Sequence, residues 1–282
     1  MRLPRPIAGA AIAATPFAFC VLTPRTRLRD IGTCCLQMYV YLNIYRMPND
    51  NPEALRRRVH IHYPVSVDRV LGAGELPTIR LQRALSKPNH IRPIEKILIW
   101  THWSWFLVPH ISVAYTLLRR SDRFTRTAAM VYGVFDIGMF IYAIVPTAPP
   151  WFAAQYGVMG GKIGELRRMM CEYGEQLWRD SWGPLYRFFG GNPLAAMPSL
   201  HFGTSVMAAS MLYEIGPIEG IIGWTYALTL GVALVYLGEH YVIDLIAGFA
   251  LSESVRRLGP KAAPLLRYVG NGVRLLEIQA RG

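Results

Sequence analysis

Apolar residues along this chain gather into long runs rather than into the strict alternation of strands. A helix needs about 20 mostly apolar residues to cross a bilayer. Residues 97–118 carry no charged side chain, 127–145 carry only Asp136, and 221–238 carry none. Two shorter, partly polar runs, 202–216 and 241–255, flank the third closely and are expected to cross with it. Residues 31–45 form an aromatic run with Gln37 and Asn43 inside. The pattern predicts an all-α polytopic membrane helical bundle with a core of six spans beginning at Ile31. The run 7–22 follows Arg2 and Arg5 and is broken by Pro16. Three readings of it stay open: a signal-like segment, an extra span, or an interfacial extension.

Composition agrees with the pattern. Hydrophobic residues make up 52% and charged residues 17%, against about 25% charged in soluble domains. Such a chain buries enough apolar surface to exclude disorder, and four cysteines in 282 residues are too sparse for a disulfide scaffold. Cys20, Cys34, Cys35 and Cys171 read as small apolar residues; the adjacent pair leaves lipidation open.

The net charge of +12 fits two classes, nucleic-acid binders and membrane proteins with basic cytoplasmic flanks. Distribution separates them. Arg119, Arg120, Arg123 and Arg126 crowd one short turn, opposed only by Asp122. Arg256, Arg257, Lys261, Arg267, Arg274 and Arg281 follow the last run. Both regions are expected to face the cytoplasm, and an even number of crossings separates them. The opposite face then holds Pro146, His201, His240 and the loop 146–200. No nucleic-acid partner is expected, and the expected location is the plasma membrane. The segment 48–96 fits less simply: residues 47–96 carry nine Lys/Arg and five Asp/Glu on the non-cytoplasmic side. An amphipathic stretch at 56–86 lying on anionic headgroups accounts for it; the alternative is a span count off by one at the N-terminus. The chain divides into an N-terminal extension 1–30, a catalytic domain 31–257, and a basic tail 258–282.

Ionisable groups at membrane depth are functional candidates. His60 and His62 alternate among arginines without enough neighbouring ligands for zinc and read as solvated surface. His102 and His110 share one run and read as hydrogen-bonded helix residues. Asp136 is expected to be hydrogen-bonded within the bundle. His201 and the pair His240, Asp244 differ. The i, i+4 spacing puts His240 and Asp244 on one helix face, where a carboxylate fixes the imidazole tautomer. The span count brings His201 to the same membrane face. Two imidazoles and a carboxylate can therefore converge, one imidazole to attack and the other to move a proton. Helix capping by the same residues is the bland alternative.

The flanking residues decide. Asn192-Pro193-Leu194-Ala195-Ala196-Met197-Pro198-Ser199-Leu200-His201, followed by Gly238-Glu239-His240-Tyr241 and Asp244, resembles the type 2 phosphatidic acid phosphatase superfamily across roughly residues 31–255. The resemblance implies the same six-helix core. It implies His240 as nucleophile through a phosphohistidine, Asp244 orienting it, and His201 as the acid for the departing alcohol. Ser199, with Pro198, Leu200, Trp151 and Tyr241, is the implied substrate-binding set. No cofactor and no metal is implied, because the imidazole attacks directly.

Two departures matter. The phosphatase branch carries Lys-x6-Arg-Pro at the end of the third span. Counting back from Pro146 gives Val145 and Gly138, and from Pro149 gives Ala148 and Ile141. It also carries Ser-Arg before the nucleophile, where this chain has Ala233 and Leu234. A phosphomonoester bears close to two negative charges and calls for several cations; a diester bears one. The neutral positions and the turn Pro146-Thr147-Ala148-Pro149-Pro150-Trp151 resemble the inositol phosphorylceramide and sphingomyelin synthase branch. The expected reaction is transfer of a phosphoryl-linked headgroup from a phospholipid to an alcohol. Hydrolysis of a lipid phosphomonoester, with water as acceptor, is the alternative. Arg167, Arg168, Arg179 and Arg187 of the catalytic-side loop are open replacements for the missing cations. Tyr173, Trp178, Trp182 and Tyr186 of that loop are expected in an aromatic belt at the membrane surface.

Overall fold

The computed structural model describes residues 5–47, 51–88, 90–159, 166–189 and 192–281. Among these the secondary structure is helical, with no strands beyond isolated bridges. The N-terminal helices are α1 (Arg5–Ala13), α2 (Thr15–Leu22) and α3 (Arg27–Arg46). A connecting layer follows, made of α4 (Pro52–Arg58), α5 (His62–Leu71) and α6 (Pro77–Leu85). Next come α7 (Pro93–Ser104), α8 (Val108–Arg119), α9 (Ser121–Ile144) and the short α10 (Pro150–Gln155). The catalytic-side loop contains α11 (Met169–Trp178) and α12 (Trp182–Phe189). The chain closes with α13 (Leu200–Tyr213), α14 (Pro217–Tyr236) and α15 (Val242–Arg281). Proline in the first turn opens α2, α4, α6, α7, α8, α10 and α14, where its missing N–H is no loss.

By length and composition, α9 and α14 are apolar enough to cross a membrane. The expected continuous span 97–118 is corrected: it is two helices with a break at residues 105–107. Pro109 explains the break, since it has no N–H to donate and its ring conflicts with the carbonyl four residues earlier. The break still closes locally, through Trp105 N–H to the His102 carbonyl (3.2 Å) and Leu107 N–H to that of Ser104 (2.9 Å).

Helix α13 is the hub, packing on α8, α9, α14 and α15. Its contact with α15 brings backbone against backbone. A Cβ placed on Gly203 would stand 2.7 Å from the Gly248 carbonyl oxygen, and one on Gly248 would stand 2.4 Å from that of Ser199. Small residues let helix backbones meet where lipid offers no hydrophobic drive. Around this contact Val131, Phe135, Leu200, Met207, Leu230 and Leu234 form a buried cluster. The Asp136 carboxylate accepts from Gln37 Nε2 at 2.8 Å, as expected for a polar group in the bundle.

At the N-terminus, Gly9 lies against Met47 and Gly32 against Phe19, so α1 and α2 run antiparallel to α3. Helix α15 continues through the residues expected as tail and packs on α2. There Glu277, whose side chain is 7% exposed, binds Arg25 (2.8 Å) and Arg29 (2.9 Å).

One end of the bundle is covered by the connecting segments. Residues around His60, Thr147 and Ala195 pair side by side in parallel bridges. His60 N–H reaches the Pro146 carbonyl (2.9 Å), Thr147 N–H that of Leu194 (3.0 Å) and Ala196 N–H that of Thr147 (3.0 Å). His60 and His62 are exposed. The belt expectation for the loop aromatics is corrected for Trp182. It is buried with Met169, Met170, Tyr236 and Leu237, and tilts against Trp103 at 5.5 Å. Tyr173 stacks on Trp103 itself, with ring centroids 5.8 Å apart. Aromatic packing inside the protein replaces the membrane surface as their partner, while Trp178 stays exposed.

Candidate active site

The turn before His240 is built by the end of α14. Gly238 adopts φ +77°, a left-handed conformation that favours glycine at a helix end. The Leu234 carbonyl then accepts the N–H groups of Glu239 (3.0 Å) and His240 (3.1 Å). This gives the two neutral positions a structural role, because Ala233 and Leu234 are buried core residues. On the other strand of the site, Ser199 caps α13, its Oγ accepting from Phe202 N–H at 3.3 Å. Tyr142 pins the same turn: its hydroxyl donates to the Pro198 carbonyl (2.6 Å) and accepts from Leu200 N–H (3.2 Å). Ser199 N–H donates to the Asp244 carbonyl at 2.9 Å, tying the two halves together across the glycine contact.

The expected triad is thereby assembled. His201 Nδ1 lies 3.1 Å from His240 Nε2, and His240 Nδ1 lies 3.2 Å from Asp244 Oδ2. Asp244 Oδ2 also accepts from Tyr241 N–H at 2.8 Å. Both His240 and Asp244 are buried. A carboxylate on Nδ1 selects the tautomer with the proton on that nitrogen, leaving the lone pair on Nε2. That lone pair faces His201, so one proton can sit between the two rings. Among the described residues no group of His, Cys, Asp or Glu is arranged to hold a metal ion.

The other expected residues are distributed unevenly. Leu200 packs against Gly138 in the core, and Ser199 is buried with its hydroxyl engaged in the cap. Tyr241 is buried beneath the site, and the Trp151 ring supports the Arg168 guanidinium at 4.1 Å. The Trp151 backbone N–H donates to the Gly238 carbonyl at 3.1 Å, which fastens the start of α10 to the His240 turn. His110 bonds the Tyr132 hydroxyl at 3.2 Å, within its own helix neighbourhood. The expectation that His102 is hydrogen-bonded is corrected: among the described residues its buried Nδ1 has no hydrogen-bond partner, and it instead stacks on the His201 ring with centroids 4.9 Å apart. Trp105 packs on the same ring at 4.1 Å and donates its indole N–H to Thr204 Oγ1 (2.9 Å). The i, i+3 spacing of His102 and Trp105 was the available signal for this pair.

Asp68 was missed altogether. It is fully buried, and its carboxylate accepts the N–H groups of Val242 (3.1 Å) and Ile243 (2.9 Å). These are orphan donors of the first turn of α15. Burial pushes the Asp68 carboxyl above its ordinary range, and the two N–H groups pull it part of the way back. Beside His240, burial likewise pushes the Glu239 carboxyl up, with Arg168 and His240 opposing the shift. The only sequence signal for Asp68 was a charge inside the run Pro64-Val65-Ser66-Val67-Asp68-Arg69-Val70.

The chain matches the PAP2 superfamily over residues 66–253, more than half its length, and it belongs to that superfamily. Among curated relatives, it is 25% identical over 210 residues to the inositol phosphorylceramide synthase catalytic subunit of Schizosaccharomyces pombe, covering 71% of this chain and 47% of that one. It is 25% identical over 248 residues to the inositol phosphorylceramide synthase of Candida albicans, covering 85% and 50%. It is 29% identical over 160 residues to the phosphoinositol dihydroceramide synthase of Bacteroides thetaiotaomicron, covering 52% and 49%. The chain spans about half the length of these relatives. No solved structure matches it.

Asp68→Ala removes both acceptors at the head of α15. Loss of such a cap is expected to lower stability by about 1 kcal/mol and to reduce turnover as the His240 turn loosens. Asp68→Asn keeps one acceptor and should recover part of both. Thermal melting in detergent and turnover checked together test this; wild-type values in the alanine variant contradict it.

Proposed function

We propose that the chain is an integral, multi-pass membrane enzyme that moves a phosphoinositol headgroup from a phospholipid to the hydroxyl of a ceramide-type lipid. The chemistry rests on one observation, the chain of contacts from His201 through His240 to Asp244. The substrate class is supported by the names of the relatives and by the neutral positions Gly138, Val145, Ala233 and Leu234. A single-charged diester needs fewer cations than a phosphomonoester.

In this mechanism Asp244 holds His240 through Nδ1–H, and the Nε2 lone pair attacks phosphorus. The bond from phosphorus to the lipid alcohol breaks, and His201, as imidazolium, delivers its proton to the departing oxygen. The headgroup phosphate is then carried on His240. The acceptor hydroxyl gives its proton to His201 and attacks phosphorus, and the phosphorus–nitrogen bond breaks. Phosphorus must enter between rings that stand in contact at rest. Stacking by His102 and Trp105 keeps the His201 ring from turning away as this happens, and Trp105 offers its face to the imidazolium. Ser199 acts through the cap it makes, which aims the positive end of α13 at the site. Pro198, Leu200, Trp151 and Tyr241 shape the walls behind it.

The same reading makes residues 31–257 the catalytic domain, with six crossings supplied by α3, the broken pair α7–α8, α9, α13, α14 and the first part of α15. The segment 48–96 lies at the non-cytoplasmic surface over the site, and the arginines of 119–126 and of residues 258–282 lie on the cytoplasmic side. The plasma membrane is the proposed location.

Two experiments test this. Purified protein is given phosphatidylinositol with and without a ceramide, and separately phosphatidate. Headgroup transfer to ceramide is expected, and His240→Ala should abolish it. Free phosphate from phosphatidate without transfer identifies a phosphatase, and a fully active His240→Ala sinks the mechanism. For orientation, single cysteines at Ser181 and Pro217 in a cysteine-free background are probed with an impermeant thiol reagent. Labelling of position 181 alone in intact cells is expected; labelling of 217 alone reverses the topology.

A further inference from the structure

A diester at His240 brings one negative charge into a buried site whose inherited cation positions are neutral. The positive charge must come from elsewhere in the fold. Most catalytic-side arginines are already committed. Arg58 donates to the carbonyls that end α9 (Ala143, 2.6 Å), and Arg69 donates to Met159 (2.8 Å). Arg167 is held by Glu172 (2.9 Å) and by the carbonyls of Lys87 (2.6 Å) and His90 (3.1 Å). Arg179 is exposed in the outer part of the loop.

Arg168 is different. Its guanidinium lies on the Trp151 ring and donates to the Tyr186 hydroxyl at 2.8 Å. Its nearest carboxylate oxygen belongs to Glu239, at 3.7 Å, too far for a hydrogen bond. Among the described residues, its buried Nε–H and the buried Glu239 Oε1 have no hydrogen-bond partner. An unsatisfied buried donor is costly. The side chain is 23% exposed, so a ligand can reach it. Glu239 immediately precedes His240, and Trp151 is bonded to Gly238. Of the guanidinium's supports, Glu239 is therefore part of the turn that carries His240, and Trp151 is bonded to that turn from α10.

We propose that Arg168 is the cation that binds the phosphodiester oxygens of the donor lipid, held ready by Trp151, Tyr186 and Glu239. This rests on the headgroup-transfer reading above. The planar guanidinium is a fork that matches two phosphoryl oxygens, and its unpaired Nε–H, buried in the resting site, joins a terminal N–H in it when the side chain shifts toward the ligand. Glu239 balances the charge while the site is empty, at a distance that leaves the fork open. The site thus recognises the anionic diester group itself rather than the polyol or the acyl chains.

The test uses the full chain in a His240→Ala background, where binding is read without turnover. Affinity is measured for phosphatidylinositol and for diacylglycerol, the neutral lipid that lacks the phosphate. Arg168→Gln should weaken phosphatidylinositol at least tenfold and leave diacylglycerol unchanged. In the active background, Arg168→Gln should lower kcat/KM by about 100-fold, the loss typical of one oxyanion donor. Arg168→Lys, which keeps the charge but not the fork, should recover part of it. Unchanged phosphatidylinositol affinity, or an equal loss for both lipids, overturns the assignment. An active His240→Ala protein would instead overturn the transfer mechanism, so the two failures are separable.

Discussion

Everything at this site depends on how closely α13 and α15 approach. Gly203 and Gly248 present no side chains to each other, and the backbones meet where any Cβ would collide. That approach lets Ser199 N–H reach the Asp244 carbonyl and sets His201 within hydrogen-bond distance of His240. His201 sits in the first turn of α13 and His240 in the turn that leads into α15, so a small separation of the two axes would part them. Rigid regular elements hold reacting groups better than loops do. Here the helices supply the rigidity and the glycines supply the distance.

The rest of the catalytic end works as a brace for the His240 turn. Asp68 receives the first N–H groups of α15, the Leu234 carbonyl receives those of Glu239 and His240, and Trp151 grips the Gly238 carbonyl. Gln82 adds a further tie, donating to the carbonyls of Tyr236 (2.8 Å) and Arg167 (3.0 Å). The connecting segment 51–88 therefore bears on the site through buried polar groups. Satisfied buried polar groups of this kind fix geometry more firmly than apolar contact alone.

Sequence made part of this visible and hid the rest for physical reasons. The contact of His240 with Asp244 was legible from their spacing, although His240 lies in the turn before α15 rather than on its face, and His201 was legible from the motif around it. The helical character of the chain was legible in its apolar runs. The break at residues 105–107 was hidden because hydropathy does not register Pro109. Asp68 was harder still, and the sequence named Arg168 only as one of four arginines in the catalytic-side loop. Each owes its role to a partner far away in the chain, at Val242 and Ile243 for one and at Trp151, Tyr186 and Glu239 for the other. His102 looked like a hydrogen-bonded helix residue, but its partner is a ring far along the chain, His201, which Trp105 also touches. The neutral cation positions carried most information: they were legible as an absence, and the fold brings one partly exposed arginine, with an unpaired Nε–H, to the His240 turn.

The central claim is a covalent phosphohistidine, and stereochemistry at phosphorus tests it most directly. A donor diester made chiral at phosphorus by isotopic oxygen would be turned over, and the configuration of the product diester determined. Two successive in-line displacements, at His240 and then at the acceptor, each invert the centre, so the account predicts overall retention. Inversion would mean direct attack of the acceptor on the donor lipid and would contradict it.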